Sequence, residues 1–244
     1  MAAHRACGIC NLEARDMTPG KFITFEGGEG SGKSSQARML ADALRERGFD
    51  VVLTREPGGT PFAEQVRALL LDPATAAHAP ISEALMFYAA RADHLAKVIR
   101  PALAAGGFVI CDRFSDSTDV YQSQAGGMDR AMFEMLEHAV VGTTRPNLTF
   151  VIDIDPLLGR TRTLQRRVGE AGMACGGAAT DEGGDTYERR DMSFHEALRQ
   201  GFLAIAEAEP QRCVLIDGSG SASAVARQIL AAVGDRLGLA ALKT

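Results

Sequence analysis

Gly27-Gly28-Glu29-Gly30-Ser31-Gly32-Lys33-Ser34, with Ser35 beside it, matches the spacing G-x-x-x-x-G-K-S/T. Glycines at these positions let the backbone curl with its N–H groups turned inward, and a helix starting at the lysine adds its positive end. Such a loop suits the phosphate chain of a nucleoside triphosphate. Lys33 would reach the β- and γ-phosphate oxygens, and Ser34 would hold Mg²⁺. Magnesium also needs a nearby carboxylate. Asp112 closes the apolar run Phe108-Val109-Ile110-Cys111 and is followed by Arg113, which sets a metal-side acid next to a phosphate-side cation. Asp153 ends another apolar run and competes for the role, and a capping role for Asp112 is the alternative.

Two further segments suit an anionic second ligand. Thr54-Arg55-Glu56-Pro57-Gly58-Gly59-Thr60 and Asp112-Arg113-Phe114 each place an arginine just after a strand-like run. The guanidinium fork matches phosphate oxygens two at a time, so Arg55 and Arg113 could clamp one monophosphate. A surface ion pair of Arg55 with Glu56 or Glu64 is the other reading. Further on, Ile81, Leu85, Tyr88, Ala92, Leu95, Ile99 and Ala102 recur in steps of four and three and predict one core stripe of a helix. Phe87 and Arg91 lie off that stripe, four residues apart. An aromatic plane beside a guanidinium donor can stack on and hydrogen-bond a nucleobase; packing against a partner helix is the plainer alternative.

Elements able to position these residues alternate along the chain. Phe22–Glu26, Val51–Thr54, Phe108–Asp112, Leu148–Asp153 and Val214–Asp217 read as buried strands. Helices are predicted to start near Lys33, Pro61, Ile81, Asp129, Pro156, Arg190 and Ser221. Alternation of this kind predicts an α/β fold of three layers, a five-stranded parallel sheet flanked by helices, with ligands at the strand C-termini. Gly169 to Thr186 (GEAGMACGGAATDEGGDT) is rich in glycine and alanine and reads as a mobile loop. Arg160, Arg162, Arg166 and Arg167 precede it, and Arg189 and Arg190 follow it. That is the layout of an arginine-bearing lid over about residues 159–190, with a solvated helix face as the alternative.

A chain of 244 residues with 46% hydrophobic composition can bury one full core, so residues 20–244 are expected to form a single domain. Residues 1–19 lack periodicity and read as a flexible extension, or as an artefact of a translation start upstream of Met17. The formal charge of −5 and the lack of any Lys/Arg block argue against a nucleic-acid or lipid partner. Five scattered cysteines, with no signal-peptide core and no apolar run of membrane-spanning length, predict a cytoplasmic protein. Cys7-x-x-Cys10 has no second pair to complete a zinc site.

FEGGEGSGKSSQ, TREPGGT, LMFYAAR, DRFSDST with YQ after it, and the TYE before Arg190 resemble, in order, the blocks of bacterial-type thymidylate kinases. The resemblance spans about residues 20–240. It implies transfer of the γ-phosphoryl of ATP to dTMP with Mg²⁺, giving dTDP and ADP for dTTP synthesis, in a homodimer. It also implies that Phe87 stacks on thymine, Arg91 donates to a ring oxygen, and Thr118 faces the imide edge. Tyr121 would crowd the place of a 2′-hydroxyl, Glu29 would approach the acceptor sugar, and Arg55 and Arg113 would hold the acceptor phosphate. In this type the P-loop carries no arginine and the lid supplies it, here Arg160 and Arg166. The lid is longer and richer in glycine than the family pattern.

Another nucleoside monophosphate kinase or a deoxynucleoside kinase is the nearest rival; a nucleoside kinase would need a base for a neutral hydroxyl, and Glu26 is the acid placed for that. A P-loop switch or partition-type ATPase is the rival from another class, and it would have no use for the Phe87/Arg91 pair.

Overall fold

A computed structural model describes residues 19–75, 78–173 and 187–239, and of residues 169–173 the backbone alone. Five strands, β1 (Lys21–Glu26), β2 (Val51–Arg55), β3 (Phe108–Asp112), β4 (Leu148–Asp153) and β5 (Cys213–Asp217), form one parallel sheet in the order β2-β3-β1-β4-β5. Each strand matches its sequence expectation to within a residue at either end. The reason is local: short β-branched and aromatic runs bounded by polar or glycine residues have one way to be buried on both faces.

The helices are α1 (Lys33–Arg45), α2 (Pro61–Leu71), α3 (Pro80–His94), α4 (Arg100–Ala104), α5 (Ser115–Thr118), α6 (Arg130–Val140), α7 (Pro156–Met173), α8 (Met192–Ala208) and α9 (Ala222–Arg236). A π-helical stretch, Leu95–Ile99, joins α3 to α4, and another, Asp119–Gln124, continues α5. Proline opens α2, α3 and α7, and Thr60, Asp129, Asp191 and Ser221 cap their helices by accepting backbone N–H bonds.

Strand alternation divides the core. Ile23, Phe25, Ile110 and Phe150 pack with α1 and α9 on one face. Phe22 and Val109 pack with α3 and α6 on the other, where Val151 meets α8. Thr24 and Glu26 fall on the Phe22 side, so β1 delivers a carboxylate into a buried layer.

Two expectations change here. The α3 stripe is Ala84, Tyr88, Arg91, Leu95 and Ile99, whereas Leu85 is 50% exposed and Ala92 is exposed. An arginine can occupy the buried face because a buried acid, Glu56, pairs it. The predicted loop from Gly169 begins later, since Gly169–Met173 continue α7. Residues 174–186 of that loop lie outside the described residues, as do residues 1–18 with Cys7 and Cys10.

Candidate active site

The strand C-termini gather nearly all the chemistry. Gly32 sits at φ 98° ahead of α1, and the loop before it presses closely on its neighbours at Gly27 and Gly30. A Cβ on Gly27 would come within 2.4 Å of the Ile152 carbonyl, and one on Gly30 within 2.1 Å of the Gly159 carbonyl. Gly30 is at φ 68°, a conformation open to glycine. Lys33 folds back inside the loop, donating from Nζ to Gly28 O at 2.6 Å and to Ser31 Oγ at 3.3 Å. Burial, with Arg113 close by, lowers its pKa to about 8 despite Glu29 and Asp112.

Ser34 Oγ donates to Asp112 Oδ2, while Asp112 Oδ1 is buried without a hydrogen-bond partner. A hydroxyl beside a half-satisfied carboxylate is a donor set that fits a hard divalent cation completed by water and phosphate. The competing Asp153 is instead bound by Arg199, with bonds of 2.7 and 2.9 Å.

Arg113 stands at φ 68°, unusual for a residue with a side chain. Its backbone N–H is tied to Phe25 O and the next amide, Phe114 N–H, to Glu26 Oε1, and these bonds hold the turn. From there Arg113 donates to Gly27 O at 3.1 Å, Ser117 Oγ at 3.0 Å and Glu29 Oε1 at 2.6 Å. Tyr121 Oη donates to the same Glu29 oxygen at 2.8 Å. Burial disfavours the Glu29 charge, yet Arg113, Lys33 and Tyr121 outweigh it and hold its pKa down to about 2.

One cleft, lined by Lys33, Ser34, Arg55, Asp112, Arg113 and Arg166, runs along the P-loop. Arg55 there donates to both oxygens of Glu64, the surface pair weighed from sequence. A second cleft is lined by Phe87, Arg91, Thr118, Tyr121, Glu29 and Arg113 among others, so Glu29 and Arg113 belong to both. Phe87 is half-buried on its wall. Arg91, 2% exposed, is anchored through Nε to Glu56 Oε2 at 2.7 Å and through Nη2 to Thr118 Oγ1 at 3.1 Å, leaving Nη1 buried and unpartnered.

The α7 arginines separate by task. Arg166 lines the P-loop clefts beside Gly30, Gly32 and Ser35. Arg160 lines a cleft with Gly27, Gly28 and Glu29. Arg162 donates instead to the Gly218 and Ser219 carbonyls, and Arg167 pairs with Glu188. Reading the sequence assigned no role to Glu188, Arg67, Gln122 and Tyr187, which line the two clefts, although Gln122 lies in the YQ block. The TYE block flagged Tyr187 and Glu188 by position only; Tyr187 Oη reaches Glu83 of α3 at 3.1 Å, a link across 104 residues.

Glu26 differs from a free base. It is fully buried, accepts from Phe114 N–H and Ser117 Oγ–H, and burial together with Asp116 raises its pKa to about 8.

A five-stranded parallel sheet with a glycine-cradled lysine and a second, arginine-lined cleft at the same edge defines a P-loop phosphotransferase. The model of the family "Thymidylate kinase" matches residues 25–229. Curated thymidylate kinases of Caulobacter vibrioides and Dinoroseobacter shibae are each 47% identical; the alignments cover 91% and 87% of this chain and 100% and 96% of the relatives. A solved thymidylate kinase structure from Ehrlichia chaffeensis superimposes with a TM-score of 0.69 at 33% identity, covering 88% of this chain and all of that one. The chain belongs to the thymidylate kinase family.

Proposed function

We propose that this kinase transfers the γ-phosphoryl of ATP to dTMP, with the triphosphate along the P-loop and the acceptor in the Phe87/Arg91 cleft. The observation that carries the reading is the sharing of Glu29 and Arg113 by the two clefts, which brings a base pocket and a phosphate cradle to one point. Lys33 spans the β- and γ-phosphate oxygens once it leaves Gly28. Arg113 and Arg55 hold the acceptor phosphate, and Arg160 and Arg166 supply charge from α7. Phe87 stacks on thymine, and Arg91 Nη1 donates to a ring carbonyl. Thr118 faces the imide edge, Tyr121 excludes a 2′-hydroxyl, and Glu29 accepts from the sugar.

Ser34 and Asp112 would hold Mg²⁺, whose charge would offset that on the transferring phosphoryl. No general base is required, since a phosphate monoester with a second pKa of about 6 is already mostly dianionic at neutral pH. Positioning, charge neutralisation and exclusion of water suffice.

Among the described residues no helix is long and apolar enough to cross a membrane. The buried free thiols Cys111 and Cys213 suit a reducing, cytoplasmic setting. Leu85 and Met135, 50% and 62% exposed on the packed helices α3 and α6, suit a homodimer surface. Residues 20–244 act as one domain with its lid around 159–190. The testing experiment is a coupled assay of all nucleoside monophosphates with ATP. Preferred turnover of dTMP is the expected result; phosphorylation of thymidine with none of dTMP would replace this reading by a nucleoside kinase, against which the buried and hydrogen-bonded Glu26 already weighs.

A further inference from the structure

Behind the base pocket lies a buried cluster, of which Glu56 also borders the P-loop cleft. Glu56 lines the pocket, yet both its oxygens are engaged. Oε2 accepts from Arg91 Nε at 2.7 Å, and Oε1 lies 2.9 Å from His94 Nδ1. A carboxylate accepts, so Nδ1 carries the hydrogen it shares with Glu56, and Nε2 pairs with Thr54 Oγ1 at 2.7 Å. His94 is wholly buried, and a Cβ on Gly59 would stand 2.5 Å from its Nε2, so the imidazole has no room to turn. Every member of the chain Thr54, His94, Glu56, Arg91 is thereby held by its neighbour.

The consequence lies in what the pocket wall offers a base. Arg91 has donors only, two of its nitrogens are tied, and Nη1 awaits an acceptor. A carbonyl at the base edge satisfies it. An exocyclic amine meets N–H with N–H, unless Glu56 can swing round and accept from it. We propose that His94 is the specificity-determining positioning residue that prevents this swing. By holding Glu56 against Arg91 it limits the pocket to bases with a carbonyl at that edge and excludes the cytosine edge, which presents an amine. The proposal rests on the reading of this cleft as the nucleobase site.

The test is steady-state kinetics on dTMP and dCMP, with ATP, for the wild type, His94→Leu, His94→Asn and Thr54→Val. Asparagine keeps a donor near the Nδ1 position, leucine keeps none, and valine removes the hydroxyl that orients the ring. His94→Leu is expected to raise the ratio of kcat/KM for dCMP to that for dTMP by about tenfold or more. The change should lie in the nucleotide KM, with the KM for ATP unchanged, and His94→Asn should bring the ratio back. Should His94→Leu fail to fold, Thr54→Val is read the same way, with a smaller rise in the ratio. An unchanged ratio in a folded variant that still phosphorylates dTMP overturns the proposal alone. A wild type inactive on dTMP overturns the substrate reading and the proposal with it.

Discussion

The guanidinium of Arg113 donates to the carboxylate of Glu29 at 2.6 Å, where the two clefts join. This pair ties the turn after β3 to the P-loop. On the proposed reading an acceptor phosphate would compete with this internal anion for Arg113 and so couple binding to loop geometry. Glu29→Gln leaves Arg113 without its counter-charge at a partly buried position, and should destabilise the ligand-free protein by about 2 kcal/mol. Thermal unfolding with and without dTMP checks this: the variant should start lower and gain more from the nucleotide than the wild type. Equal gains would separate the pair from acceptor binding.

Lys33 is held inside the loop by Gly28 O and Ser31 Oγ and packs no apolar core. Lys33→Ala should lower kcat by at least about a hundredfold while the melting temperature stays within a few degrees. Near-normal turnover in the variant would show that another cation neutralises the transferring phosphoryl.

Phe87 lines the acceptor cleft and no part of the P-loop cleft. Removing one stacking face of about 1–3 kcal/mol by Phe87→Ala should raise the dTMP KM some 5- to 150-fold and leave the ATP KM unchanged. Two-substrate kinetics distinguish this from a general loss of structure, in which both constants would move.

Asp112 offers one buried oxygen with no protein partner. Asp112→Asn keeps the Ser34 contact but removes the charge, so the Mg²⁺ concentration for half-maximal activity should rise about 10- to 100-fold, the usual scale for loss of a metal-side carboxylate. A magnesium titration at fixed ATP reads it directly; an unmoved midpoint would assign the metal to other groups.

Glu26 predicts the pH dependence of stability. Its pKa is raised from 4.5 to about 8 in the folded protein, chiefly by burial. Between those values the folded state binds more protons than the unfolded one, so this group's contribution is full below pH 4.5 and is lost as pH rises towards 8. Glu29 runs the other way, its contribution present above 4.5 and lost as pH falls through about 2. Urea unfolding from pH 5 to 9 should therefore show Glu26→Gln gaining on the wild type as pH rises. A constant difference across that range would mean that Glu26 is already ionised in the fold.

What the sequence determined by itself was everything carried by neighbours along the chain. The glycine spacing around Lys33 sets a loop conformation, short β-branched runs set strands, and Phe87 with Arg91 four residues on sets a shared helical face. The position of Asp112 at the phosphate end of the sheet was legible because a strand delivers its last side chain there. Only the tertiary structure decided which groups meet across the sheet order. Arg91 is buried because Glu56 arrives from the loop after β2, 35 positions earlier, while Leu85, expected on the buried stripe, is exposed. Arg162 turned from the lid to the Gly218 carbonyl because β5 ends beside β4. Periodicity records which residues share a face, but the partner across the gap, which settles whether a charge can be buried, is set by packing between distant segments.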